Sequence, residues 1–174
     1  MGEPALVLDD LADIFRKAES IATSPPEAES TEAKILRAVD GLNASTRAFR
    51  RCLNHAKESI AKFFESNPDV AALSAVIDKL CETEEALRPT NAATSQSQNL
   101  RRDLFKTSAI KSGDKARGIA VVDHYQKALK EAIDCMREAR LKAMAMRADL
   151  EDPGDAPVFD DPDALIDYLR SHPG

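Results

Sequence analysis

Residues 31–65, "TEAKILRAVDGLNASTRAFRRCLNHAKESIAKFFE", decide the fold class of this chain. Nine positions in this stretch are spaced alternately four and three residues apart, and eight of them are apolar: Ile35, Val39, Leu42, Thr46, Phe49, Leu53, Ala56, Ile60 and Phe63. An apolar repeat averaging about 3.5 residues is typical of a long helix that buries one continuous face, as in a coiled coil. The stretch therefore predicts a helix over 31–66 with a coiled-coil-like apolar stripe, here called the α2 stripe.

A second stripe lies toward the C-terminus. Its nine positions are all apolar and alternate in steps of three and four: Val122, Tyr125, Leu129, Ala132, Met136, Ala139, Ala143, Met146 and Leu150. The motif "EDPG" at 151–154 supplies the proline and glycine that stop a helix. We therefore predict a second long helix over 115–150.

Three shorter segments show helical spacing, at 4–22, 69–88 and 99–111. Asn67 is the predicted N-cap of the segment at 69–88, with Pro68 in its first turn. No segment has the alternation of a strand. The prediction is an all-α antiparallel bundle of four to five helices, two of them long and heptad-patterned, with a short C-terminal helix. We expect six side chains to be buried: Phe49, Leu53, Ile60, Leu129, Ile133 and Met136.

Length and composition indicate one soluble domain. The chain has 174 residues, of which 43% are hydrophobic and only 5% aromatic, and no apolar run approaches the length of a membrane-spanning helix. Residues 1–150 form the predicted bundle, and 151–174 an acidic linker followed by a short amphipathic helix. The acidic N-terminus does not resemble a signal peptide, and three widely spaced cysteines suit free thiols in a reducing compartment. We expect a cytoplasmic protein.

Arg50 and His55 are the candidate catalytic residues in "RAFRRCLNHAKESIAKFF" (47–64). Their spacing resembles the Arg-x4–6-His signature of the HEPN ribonuclease superfamily, which is also a helical bundle. The resemblance covers two residues and implies a metal-independent ribonuclease in which two chains bring their motifs together. At 100° per residue, however, the two side chains diverge by about 140° on one helix. We therefore expect them to decorate a solvated helix face.

Metal and cofactor sites find little support in the sequence. Cys52 and His55 are spaced as half of a zinc site, but no second Cys/His pair follows. The Glu-x-x-His motifs of a di-iron bundle are missing, and so is a glycine-rich phosphate loop. His55 and His124 are the candidates for a phosphorelay histidine, and His55 lacks the lysine three residues later and the glycine four residues later that are typical of such domains. The acidic groups at 9–13 and 82–85 are interpreted as exposed helix faces, and we expect no cofactor and no metal.

Charge is unevenly distributed along the chain. Its net charge of −6 equals the net charge of residues 151–174 alone, so the bundle is neutral overall. One segment has an excess of positive charge, a basic patch of six residues: Arg101, Arg102, Lys106, Lys111, Lys115 and Arg117. The acidic C-terminal helix has four apolar residues that we predict bind a partner or the bundle itself: Phe159, Leu165, Ile166 and Leu169.

These patterns predict a non-enzymatic helical bundle that binds another protein, or a second copy of itself, through long helical faces. One alternative is nucleic-acid binding through the basic patch, although the acidic chain and its few aromatic residues weigh against it. A second alternative is the HEPN-like ribonuclease, and a third is a small toxin, antitoxin or immunity protein. We expect no membrane partner, because helices that bind membrane surfaces have basic polar faces.

Overall fold

The structure, a computed structural model, describes residues 6–20, 30–88 and 96–152, together with the single positions 166 and 170. This part of the chain contains five helices and no strand, which confirms the predicted all-α bundle: α1 (Asp9–Ser20), α2 (Thr31–Glu65), α3 (Val70–Ala86), α4 (Gln96–Lys106) and α5 (Ser112–Glu151). Positions 166 and 170 are also helical. None of the described helices has a segment that is both long and apolar enough to cross a membrane.

Local hydrogen bonds explain the turn between α2 and α3. Ser66 is the C-cap of α2, and the next residue, Asn67, has a φ of 52°, the left-handed conformation that asparagine tolerates after a helix. Asp69 caps α3, and its side chain accepts a hydrogen bond from the Ala72 amide at 2.8 Å. The predicted roles of Asn67 as N-cap and of Pro68 in the first turn are therefore wrong. Asn67 follows the C-cap of α2, and Pro68 precedes Asp69, the N-cap of α3.

Other predicted boundaries also change. Residues 6–8 are not helical, so α1 begins at Asp9, while positions 4–5 and 21–22 of the predicted helix lie outside the described residues. The break after α4 lies at 107–111, which the sequence placed within a helix, and α5 already begins at Ser112. Ile110 is only 3% exposed. Burying it in the core fixes the connection between α4 and α5.

The two long helices, α2 and α5, run in the same direction. Arg117 donates to Asp40 Oδ1 at 2.7 Å, and farther along both helices Lys57 pairs with Glu131. Contacts that advance together along two helices define a parallel pair. The helix α5 also packs against α3 and α4, and α2 against α1 and α4.

The shorter helices run in the opposite direction. The residues just before α1 lie beside the C-terminal half of α2, where the Val7 amide donates to Ser59 Oγ at 3.4 Å. The helix α1 is therefore antiparallel to α2. Against α5, Ser74 of α3 pairs with Arg147 while Glu84 pairs with Arg137, so α3 is antiparallel to α5. The helix α4 is also antiparallel to α5, because Leu104 lies against Gly118 while Arg101 pairs with Asp123 farther along α5. The successive helices α3 and α4 therefore run in the same direction, and for this reason the two long helices are parallel.

The α2 stripe lies in the core, and all nine of its positions are buried. The second stripe is partly wrong. Leu129 and Met146 of this stripe are half-buried, and Leu150 is 51% exposed, because Gly118 and Ala128 of α5 also pack into the core. Ile133, which we separately expected to be buried, is half-buried as well. The helix α5 contacts α2, α3 and α4, so its buried side does not follow one straight heptad row.

Candidate functional site

The structure does not bring Arg50 and His55 together. Both side chains are exposed on α2, and the His55 Nδ1 atom lies 3.9 Å from Glu58 Oε2 on the same helix. Arg50 instead lines a groove between α2 and α5, which His55 does not reach. As placed within one chain, the two residues do not form a single site.

The three cysteines are packed against neighbouring side chains rather than presented as reactive thiols. Cys52, Cys81 and Cys135 are free and half-buried. Burial raises the pKa of the Cys135 thiol, and burial together with the Asp10 charge raises the pKa of Cys52. A raised pKa keeps a thiol protonated and therefore poor as a nucleophile or metal ligand. In the part of the chain that the structure describes, no three His, Cys, Asp or Glu side chains are arranged to hold a metal ion.

The groove between α2 and α5, here called the α2–α5 groove, has a volume of about 340 Å³. Two rows of residues at spacings i, i+3, i+4 and i+7 line it, one from each helix: Asn43, Thr46, Arg47 and Arg50, and Arg117, Ala120, Val121 and His124. Among the described residues, the lining contains three arginines and one histidine but no carboxylate. The parallel packing of α2 and α5 thus joins cationic residues that lie far apart in the sequence.

Acidic residues lie just outside this groove. Arg117 pairs with Asp40. The pKa of Glu131 is lowered, mainly by its hydrogen bond from Lys57 and additionally by the positive charges of Lys57 and Arg50. These carboxylates balance part of the groove's charge without lining it.

The predicted basic patch is spread over α4, the connection that follows it and the first turns of α5. Arg101 pairs with Asp123, and Arg117 with Asp40, so acidic residues of other helices engage two of its six cations. Lys106 lines a different cleft, between α2 and α4. Arg117 is the patch member that lines the α2–α5 groove.

The predicted C-terminal partner site falls mostly outside the described residues. Ile166 is helical and 46% exposed, whereas Phe159, Leu165 and Leu169 lie outside the described part. Its role as a binding segment stays a prediction.

Glu84 forms an ionic cluster that sequence reasoning missed. The sequence predicted an exposed acidic face at 82–85, but the Glu84 side chain is only 4% exposed. Its carboxylate accepts from Arg88, which lies just beyond the C-cap of α3, and is 3.4 Å from Arg137 Nη2 and 3.2 Å from Arg140 Nη2, both on α5. A single carboxylate therefore joins α3 to α5.

The electrostatics of Glu84 follow from this geometry. Burial alone would raise the pKa of its carboxyl, but the Arg88 hydrogen bond and the charges of Arg140, Arg88 and Arg137 outweigh burial, so the pKa lies below its usual value. A signal was present in the sequence, since position 84 continues the apolar spacing from Leu73 through Leu80 to Leu87. A charged residue in such a row needs partners from a facing helix.

The distal half of α5 has an exposed apolar row, here called the α5 face: Leu141, Met144, Ala145 and Ala148. Leu141 is 57% exposed and Met144 is 45% exposed, and both alanines are exposed as well. The four residues recur at i, i+3, i+4 and i+7, which places them on one side of the helix. The opposite side carries the buried residues Met136, Ala139 and Ala143. The helix α5 is thus apolar on two sides, of which the bundle buries one.

Comparison of the chain with protein-family models, with curated proteins and with solved structures gave no match.

Proposed function

We propose that this chain is a non-enzymatic helical-bundle protein that acts by protein–protein interaction, and that its α5 face binds the same face of a second copy. The observation that supports this function is the exposure of Leu141 and Met144, at 57% and 45%, within one helical row. Contiguous exposed apolar surface on a protein commonly marks an interaction site. Pairing two such rows would remove both from water in a coiled-coil contact.

The charges beside the α5 face favour an antiparallel pair. Lys142 precedes the centre of the face and Asp149 follows it, whereas Arg140 is bound by Glu84 and Arg147 by Glu151 within the chain. With a two-fold axis near Ala145, Lys142 of each helix lies opposite Asp149 of the other. A parallel pair would set like charges against each other, which costs affinity. The self-complementary contact of a two-fold dimer therefore suits this surface.

The size of the α5 face predicts a weak and reversible dimer. Residues 141–148 extend over about 12 Å of helix at 1.5 Å per residue. A stable interface usually buries about 800 Å² on each partner, which is more than one face of a short helical segment offers. We therefore expect monomers and dimers to exchange, with the dimer favoured as concentration rises.

A binding role also suits the chemistry of the described side chains. The catalytic candidates Arg50 and His55 project apart, and the raised pKa values of Cys52 and Cys135 disfavour thiolate chemistry. The three cysteines are free, which supports our proposal of a reducing compartment such as the cytoplasm.

Sedimentation equilibrium of the full chain over a range of concentrations tests the proposed self-association. The wild type should show an average mass that rises from monomer toward dimer. The double variant Leu141→Gln/Met144→Gln should stay monomeric at concentrations where the wild type is dimeric, because it loses the apolar contact without disturbing the core.

Phe105→Gln is the matched control. Phe105 is 61% exposed on α4, away from the α5 face, so this variant should dimerise like the wild type. A wild type that is monomeric at every concentration would contradict the proposal, and so would a dimer that the double variant leaves intact.

A further inference from the structure

The α2–α5 groove is a second surface, distinct from the α5 face. It is formed at 43–50 of α2 and 117–124 of α5, whereas the α5 face begins at Leu141. Its volume of about 340 Å³ lies within the usual range of small-ligand sites, about 300–1,000 Å³. The groove is therefore large enough for a small ligand.

The positive charge of the groove favours an anionic ligand. Arg47, Arg50, Arg117 and His124 line it without any carboxylate, in a chain whose net charge is −6. A guanidinium group is planar and offers its N–H donors in a fork that matches the oxygens of a phosphate. Because the donors come from two facing helices, they converge on an anion from both sides of the groove.

The uncharged residues of the lining narrow the class of ligand further. Asn43, Thr46, Ala120 and Val121 complete the groove, and among the described residues no Phe, Tyr or Trp lines it. Proteins that bind single-stranded nucleic acids stack the bases on aromatic side chains. Three arginines without a Phe, Tyr or Trp platform favour recognition of phosphate groups over stacking of a base.

We propose that the α2–α5 groove binds a small polyphosphate anion, with Arg47 and Arg50 on one side and Arg117 and His124 on the other. Both Arg47 and Arg50 are exposed on α2, and within the described residues neither has an ion-pair partner within 4.0 Å. Arg117 is held by Asp40 at 2.7 Å. A bound polyphosphate would compete with Asp40 for this guanidinium.

Isothermal titration of the full chain with pyrophosphate, at low salt, tests the proposal. The wild type should show one saturable site. Arg50→Gln should weaken binding about tenfold or more, because a lost hydrogen bond between charged groups costs at least that factor. Added salt should weaken binding as well, since the contacts are ionic.

Arg51→Gln is the matched control. Arg51 is the next residue of the same helix and is also exposed, and the change removes the same charge, but Arg51 does not line the groove. This variant should bind pyrophosphate within about twofold of the wild type, since it keeps every groove contact. Both substitutions affect exposed side chains, so both variants should unfold at the wild-type temperature.

Three results would overturn the proposal. The first is the lack of saturable binding, and the second is an equal loss of affinity in the Arg50 and Arg51 variants, which would indicate diffuse electrostatic attraction. The third comes from a labelled single-stranded RNA. RNA binding that depends on Arg50 and that pyrophosphate does not displace would identify the groove as a nucleic-acid site instead. RNA binding that is undetectable, or equal in wild type and Arg50→Gln, would support the small-anion assignment.

Discussion

At the scale of single residues, the arginines around Glu84 explain how a carboxylate is held between α3 and α5. Arg88 follows the C-cap of α3, while Arg137 and Arg140 come from α5. Charge-assisted hydrogen bonds of this kind offset the desolvation of a buried carboxylate only when several partners satisfy its oxygens. Glu84 therefore fixes how the two helices lie against each other.

Replacing Glu84 by Gln should lower the free energy of unfolding at neutral pH by about 2–3 kcal/mol, since it removes the charge that three arginines share. The folded pKa of Glu84 is lowered, so its stabilising effect is complete above the unfolded pKa, which is about 4.3. The effect is lost as the pH falls through the lower folded pKa. Urea unfolding of the wild type and of Glu84→Gln should thus give a difference in the free energy of unfolding that is largest above about pH 5 and shrinks below about pH 4.

The neighbouring variant Glu82→Gln is the control for this measurement. Glu82 is exposed on the same helix, so its substitution should change stability by less than about 0.5 kcal/mol. A difference between wild type and Glu84→Gln that does not vary with pH would refute the ionic role of Glu84.

Gly118 is a second residue whose surroundings decide what can replace it. A Cβ at this position would lie 2.8 Å from Leu104 Cδ1 and 3.2 Å from Val39 Cγ2, where α5 meets α4 and α2. Gly118→Leu should therefore destabilise the protein by about 1–3 kcal/mol through overpacking. The same substitution at Gly113, where nothing lies within 4 Å, should not destabilise, because leucine favours helix more than glycine does. Thermal unfolding that shows equal stability of the two variants would mean that the helices do not pack closely at Gly118.

At the scale of elements, α2 and α5 show when an apolar stripe predicts burial. All nine positions of the α2 stripe are buried, because they lie on one side of the 35-residue helix. The 40-residue α5 packs against three helices, α2, α3 and α4, so Ala128 is buried where Leu129 was expected. Periodicity within one helix locates an apolar face but not the helices that cover it.

Leu53→Asp tests the burial of the α2 stripe. Leu53 is 2% exposed, and an unpaired carboxylate at this position should lower the free energy of unfolding by several kcal/mol, about 3 or more. The adjacent Asn54→Asp, at an exposed position, adds the same charge with little expected effect. Circular dichroism during urea unfolding measures both, and a near-wild-type midpoint for Leu53→Asp would place the stripe in solvent.

At the scale of the whole molecule, the sequence predicted the all-α class and most helix positions because these depend on local spacing and capping. The α2–α5 groove and the Glu84 cluster depend on which helices become neighbours. Arg50 and His124, or Glu84 and Arg137, are too far apart in sequence for any local pattern to join them. The α5 face could not be found for the same reason, since exposure of Leu141 depends on where α3 lies.

The most direct test of the proposed self-association is intermolecular disulfide formation at Ala145, near the proposed two-fold axis. Ala145→Cys is prepared in a background in which Cys52, Cys81 and Cys135 are alanine, with Ala61→Cys, an exposed position on α2, as the control. Under mild oxidation, non-reducing electrophoresis should show a covalent dimer that forms much faster from the Ala145→Cys protein than from the control. Equal rates in the two proteins, or no dimer from Ala145→Cys, would contradict an interface at the α5 face.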